Sequence, residues 1–171
     1  MKPLPQLTAG LSLLAALAGT NLASAQNASF TNYGSGCTSG GPPPLIQALS
    51  LPVLGSTMTV RYVALPAGQS PVSIDWPMLI MGLQQTNTPV PPLSSFQPPN
   101  CTILVSPDVV IPMVWSGSSY PNTYALAIPN NNALAGYVLH LQFLDIYFRC
   151  QPTCDLQMIR ATNAGTAVLG F

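Results

Sequence analysis

The chain predicts an all-β domain, an antiparallel two-sheet β-sandwich of Greek-key, jelly-roll or immunoglobulin-like strand order. Three observations predict it. After residue 25 there is no Glu and no Lys, the residues that ordinarily fill exposed helix positions. Proline and glycine recur about every ten residues, the rhythm of short strands joined by turns. Val, Ile, Leu and Met come in dense runs, so a packed core outweighs disorder, and sheets must bury a face.

Before the domain comes a leader. Lys2 supplies a minimal positive region, residues 11–18 an apolar stretch, and Ala23-Ser24-Ala25 a small-x-small cleavage site. The reading is a secretory signal peptide over residues 1–25, cut between Ala25 and Gln26, and one domain over residues 26–171. The apolar stretch is too short to span a bilayer, and no Cys follows the cut to carry a lipid. The domain is therefore expected outside the cytoplasm, secreted, held at the cell surface or kept in the periplasm, where thiols oxidise.

Taken in order, residues 30–33 read as a first strand, ended at Gly34-Ser35-Gly36-Cys37. Gly40-Gly41-Pro42-Pro43-Pro44 is an extended connector. Residues 45–49 pair briefly. In residues 57–63, Met58, Val60 and Tyr62 alternate with Thr59, Arg61 and Val63, giving one apolar face. Pro66-Ala67-Gly68-Gln69 is a turn. Residues 77–83 are apolar on both faces and belong in a sheet interior, while the proline-rich residues 88–99 read as a long mobile loop. Strands follow at 102–105 and 109–115. Pro112 cannot donate to a ladder, so the second lies at an edge or carries a bulge. Tyr124, Leu126 and Ile128 alternate with alanines, and Pro129-Asn130-Asn131-Asn132 turns the chain. Residues 137–148 form the longest run, with Tyr137, Leu139, Leu141 and Phe143 on one face and Val138, His140, Gln142 and Leu144 on the other. Two last strands are expected at 158–162 and 167–171.

Four cysteines in an exported chain permit three pairings. Cys150 and Cys154 flank a tight turn that brings the sulfurs together, which leaves Cys37 for Cys101. The longer loop, of roughly sixty residues, is worth about 4 kcal/mol in chain entropy. Zinc ligation usually takes two close pairs, and one is present. A redox role for the Cys150–Cys154 turn has no thioredoxin-like βαβ context behind it.

The ionisable side chains beyond residue 25, apart from cysteine and tyrosine, are Arg61, Arg149, Arg160, Asp75, Asp108, Asp145, Asp155 and one His140. This inventory has no basic cluster to neutralise phosphate or anionic lipid, so neither nucleic acid nor a charged membrane surface is an expected partner. His140 is the one histidine a catalytic triad could use, but no Gly-x-Ser-x-Gly elbow exists and Gly117-Ser118-Ser119 lies in a loop. Glycoside hydrolysis needs two carboxylates across a cleft; Asp75 beside Trp76 is the most suggestive neighbourhood, yet reads better as a turn residue entering a buried strand. Asp145 reads as a strand end or a partner for Arg149. No Asp-rich loop offers calcium ligands, so no metal or cofactor is expected. Sugar binders on sandwich folds stack rings on exposed aromatics, and this points to Tyr120, with Asn122 as hydrogen-bond partner, and to Trp76. The terminal Phe171 invites comparison with outer-membrane barrels, but the runs are shorter than barrel strands or apolar on both faces. Membrane insertion is not expected.

Tyr33-Gly34-x-Gly36-Cys37, then Pro52-x-Leu54-Gly55 leading into a strand, Cys101, Ile128-Pro129-Asn130, Leu134-x-Gly136 and Gln142 together resemble an uncharacterised family of secreted bacterial domains associated with planctomycetes. The resemblance spans residues 33–142; the Cys150–Cys154 turn is not part of its pattern. It implies a β-sandwich with a Cys37–Cys101 bridge and no activity.

The leading expectation is a secreted, non-catalytic domain with a structural, adhesive or interaction role. A carbohydrate-binding module is the alternative, and a secreted hydrolase a third. The partner would be an extracellular protein, a glycan or a second copy of the chain. Self-association is expected because charge is scarce and two strands, residues 57–63 and 167–171, lack the Lys or Pro that guards a sheet edge.

Overall fold

The computed structural model describes residues 26–39, 41–63, 73–92, 98, 100–113, 123–150 and 152–171. The leader, the turn at Pro66, Tyr120 and Asn122 lie outside the described residues. The strands run β1 (Ser29–Tyr33), β2 (Leu45–Ala48), β3 (Thr57–Val63), β4 (Ser73–Gly82), β5 (Gln85–Pro89), β6 (Thr102–Val105), β7 (Val109–Pro112), β8 (Thr123–Ala127), β9 (Val138–Cys150) and β10 (Cys154–Val168). A short 3-10 turn, Asn132–Leu134, precedes β9, and the Asn131 side chain caps it by accepting from the Ala133 N–H. The fold is all-β, and its described pairs of named strands are antiparallel.

The strands form an open five-stranded sheet of order β1-β10-β9-β4-β7, a three-stranded sheet of order β2-β3-β8, and the pair β5-β6. The large sheet buries residues on both faces. On one face Leu79, Leu141, Phe143 and Ala167 pack with Ile46, Met58, Val60 and Tyr62 of the small sheet. On the other, Ile80, Leu144, Ala161 and Ala164 pack with Leu104 and Val105 of β6 and with Cys37 and Cys101. Adjacent Leu79 and Ile80 thus enter different cores, which is why residues 77–83 show no alternation in the sequence.

Buried polar groups fasten these layers. Gln142 accepts from the Leu104 N–H at 2.8 Å and donates to the Thr162 carbonyl at 2.8 Å, tying β6 to the outer face. Asn163 accepts from the Ile46 N–H at 3.0 Å and ties β2 to the inner face. Both disulfides pair as expected, Cys37 with Cys101 and Cys150 with Cys154. The first joins positions 64 residues apart, both buried.

Four expectations are corrected. The strand expected at 158–162 and the first two residues of the one expected at 167–171 belong to one strand, β10, which outruns β9 as the longest; residues 169–171 lie beyond it. It is continuous because register shifts at Leu156/Met158 and Ala161/Ala164 absorb extra residues without ending the pairing. The loop expected from Thr88 starts as strand: β5 pairs with β6 as far as Pro89. The two edges expected to be unguarded are covered. β3 lies between β2 and β8, and the end of β10 lies between β1 and β9. Asp145 is no strand end: it sits in mid β9 and its partner is Arg160 rather than Arg149.

Candidate functional site

Three places carry chemistry that the sequence singled out. The first is a charged cluster between the large and small sheets. Arg160 on β10 reaches Asp75 on β4 through Nη2 at 2.6 Å and Asp145 on β9 through Nε at 2.8 Å. Nη2 also contacts Asp145, and the Tyr62 hydroxyl donates to the same Asp145 oxygen at 3.1 Å. The Tyr147 ring lies 5.3 Å from the guanidinium carbon. Asp145 is fully buried, and that burial lifts its carboxyl above the ordinary range despite Arg160. Burial also works against the Arg160 charge, but Asp145 and Asp75 outweigh it and hold the guanidinium charged. Asp75 is the third residue of β4 and 14% exposed at its side chain, not a turn residue. The two carboxylates share one cation in the interior instead of facing each other across an open cleft. That arrangement locks strands; it does not present an acid and a base to a glycosidic bond.

The second place is His140, buried on β9. Its Nδ1 lies 3.1 Å from Thr166 Oγ1, and the Tyr33 ring meets it edge-on with centroids 5.8 Å apart. Burial pulls the imidazole below its ordinary pKa. No carboxylate among the described residues orients the ring, and the neighbouring hydroxyl is a threonine rather than a serine. Among the described residues the imidazole thus meets one hydroxyl and one aromatic ring. No cluster of three or more His, Cys, Asp or Glu among the described residues could hold a metal ion.

The third is Trp76, 51% exposed, opposite Ile146 in the ladder. Strand alternation turns it to the face away from Asp75. Trp76 offers a stacking surface; whether Tyr120 and Asn122 flank it falls outside the described residues.

A fourth place escaped the sequence. Between the edge strand β7 of the large sheet and the edge strand β8 of the small one, a groove of about 270 Å³ opens into the space between the sheets. Met81 of β4, Leu139 of β9 and Leu126 of β8 line it, with Leu83, Val109, Gly82 and Asp108. Its rim is built by two interlocked turns. Asp108 Oδ2 accepts from the Leu83 N–H at 2.8 Å and from the Ser106 hydroxyl at 2.9 Å. Ser106 Oγ in turn accepts from the Gln84 N–H at 3.1 Å. Gly82 permits this approach, because a Cβ there would overlap the Ser106 carbonyl. The hydrogen bond from Leu83, then that from Ser106, holds the exposed Asp108 carboxyl below the ordinary range. Leu83 and Val109 are left 59% and 48% exposed, apolar side chains at the mouth of an apolar groove. In sequence, Leu126 and Leu139 look like any inward residue of an alternating strand. Nothing in the sequence marks the groove that the described residues leave between β7 and β8.

No protein family, curated protein or solved structure matches the chain. The groove and the surface therefore carry the functional argument.

Proposed function

We propose that the chain is a secreted, disulfide-stabilised, non-catalytic interaction domain that captures an apolar group of an extracellular partner in the groove between β7 and β8. The groove carries this reading: an apolar recess lined by Met81, Leu126 and Leu139, with Leu83 and Val109 exposed at its mouth, is how a pocket for an anchoring group is built. The small sheet lying across the large one supports a two-sheet sandwich, with the β5-β6 pair as an added cover on the outer face. The leader and the two disulfides support export. Nucleic acid, membrane insertion and cofactors have no place in this reading. A hydrolase is disfavoured because Asp75 and Asp145 are both engaged with Arg160.

A second reading, a carbohydrate-binding module, is favoured by one observation, the half-exposed Trp76 on the outer face. Titrating the isotope-labelled protein with 1-octanol separates the two. Methyl shifts confined to Met81, Leu126 and Leu139, and abolished by Leu126→Arg, are the expected result; no shift there overturns the groove. A glycan array signal lost in Trp76→Ala and Tyr120→Ala would establish the second reading instead. Hydrolytic activity lost in His140→Ala or Asp75→Ala would refute the non-catalytic one. The exported form should begin at Gln26 by mass spectrometry, and an intact Met1 on it would refute export.

A further inference from the structure

The geometry points to the kind of partner the groove takes: an extended, uncharged polypeptide segment that adds to the free edge of β8 as a fourth strand of the small sheet and sets an apolar side chain in the recess. This rests on the groove reading above and deepens it. The exposed lining of the groove is wholly apolar, and Asp108 presents no polar atom to it. An occupant's polar groups must therefore be satisfied beside the recess and not within it. The edge of β8 offers the partners.

Ile128, one residue past β8, donates to the Ser56 carbonyl at 2.8 Å and accepts from the Gly55 N–H at 3.1 Å, so its main-chain groups point toward the chain entering β3. Successive residues of a strand turn these groups to opposite sides. Tyr124 and Leu126 thus face β3, while Thr123, Ala125 and Ala127 turn theirs outward. β3 agrees: Thr59, opposite Ala125, gives its carbonyl to the Leu49 N–H on its other side. The three outward residues are exposed, and no strand among the described residues pairs with them. Edges are ordinarily blunted by charge, proline or a bulge. β8 has none of these within its five residues and pairs with β3 without a register shift. β7, across the groove, carries Pro112.

The space beside β8 fits one strand. In the small sheet β2 is tied to β10 by Asn163, and β3 sets Tyr62 edge-on against Phe143 of β9, with centroids 5.8 Å apart. β8 comes next, over β4, and no described strand of the small sheet lies over β7. At the usual spacing of about 4.8 Å an added strand would lie there, against Val109 and Ile111, which share the inner face with Met81 and Leu79. A second copy does not fit the same place. Two-fold pairing of β8 with β8 would bring the copy's β7 beneath this β8, where β4 already lies.

The probe is an uncharged heptapeptide of alternating threonine and valine, acetylated and amidated, set against 1-octanol. The peptide should shift the methyls of Met81, Leu126 and Leu139 and slow hydrogen exchange at the Ala125 and Ala127 amides; octanol should shift the methyls alone. N-methylating either the threonine or the valine amides blocks one edge of the peptide at a time. One form should bind roughly tenfold to a hundredfold more weakly, the loss of two or more backbone hydrogen bonds, and the other like the parent. Ala125→Pro, which removes an outward N–H, should weaken the peptide and spare octanol; should that variant misfold, the methylated peptides test the same bonds in the native protein. Octanol in the groove with a peptide that leaves Ala125 and Ala127 unprotected, or equal effects of the two methylations, overturns strand addition and leaves the apolar groove standing. Protection of those amides that grows with protein concentration, with no peptide present, makes a second copy the occupant and overturns the peptide. Failure of both probes to shift Met81, Leu126 and Leu139 overturns both readings.

Discussion

Arg160 shows what a single side chain does in this fold. It joins β10 to β9 and β4, and through Asp145 it engages Tyr62 of the facing sheet. Replacing it by Met leaves Asp145 buried without its counter-charge and beside Asp75. Arg160→Met should therefore cost about 3–5 kcal/mol by urea unfolding, against near-neutral effects at exposed sites. A loss within 0.5 kcal/mol, the range of an ordinary surface change, would mean the cluster is ornamental. His140 yields a pH prediction. Its folded pKa lies below the ordinary 6.5 because burial disfavours the imidazolium. The unfolded chain thus takes up the proton first. The stability contribution is complete above that value and is lost as pH falls through the depressed one. Wild type should lose stability on acidification from about pH 7 to below pH 6, relative to His140→Gln, and parallel curves would refute the assignment. The Asp145 carboxyl, whose folded pKa is raised, acts oppositely, favouring the fold as pH falls through that raised value. The variant-minus-native comparison isolates the imidazole from it. The sequence offered Arg149 as a partner for Asp145 because the two are close along the chain. Arg160 is adjacent only once the β9-β10 hairpin closes in its shifted register.

At the scale of elements, legibility followed how a strand is buried. β3 could be read to the residue because Met58, Val60 and Tyr62 are buried while their neighbours are not. β10 was read as two strands because Asn163, Gly165 and Thr166 break its apolar run between residues 162 and 167. Asn163 proves to be buried and bonds β2, and the buried Thr162 accepts from the Phe143 N–H through Oγ1 at 3.0 Å. β5 was missed because Gln85, Thr86, Asn87, Thr88 and Pro89 carry no apolar signal, and its pairing with β6 supplies the order. Pro112 was rightly read as an edge residue. Met113 donates its N–H to the Pro77 carbonyl, so the preceding residue's nitrogen points away from β4, where a proline has no hydrogen to offer. Pro112→Val restores an outward N–H on a strand whose Val109 and Val110 are already exposed. The variant should sediment with stronger concentration dependence than wild type, little affected by salt; identical behaviour would show that this edge is guarded by something else.

Considered as a whole, the molecule places its two disulfides at opposite extremes of burial and loop length. Cys37 and Cys101 are 8% and 2% exposed and join the chain after β1 to the chain entering β6, across the outer core that includes Leu104 and Ala161. Cys150 and Cys154 close a hairpin whose strands are held together along their length by backbone pairing, and Cys154 is exposed. Loop-closure entropy grows with the logarithm of loop length, so a bridge across 64 residues removes far more unfolded-state freedom than one across 4. Burial sets access and loop length sets consequence, and here the two act in opposite directions. A mild dithiol should therefore open Cys150–Cys154 first, with little change in melting temperature. Removing the other bridge as the Cys37→Ala, Cys101→Ala double variant should cost about 4 kcal/mol. Alkylation of the partly reduced protein followed by peptide mapping decides the order, and urea unfolding of the two double variants decides the weights. Early labelling of Cys37 and Cys101, or a larger loss from the hairpin pair, would show that the outer core is open to solvent and that the β9-β10 hairpin, not the long crosslink, holds the domain together.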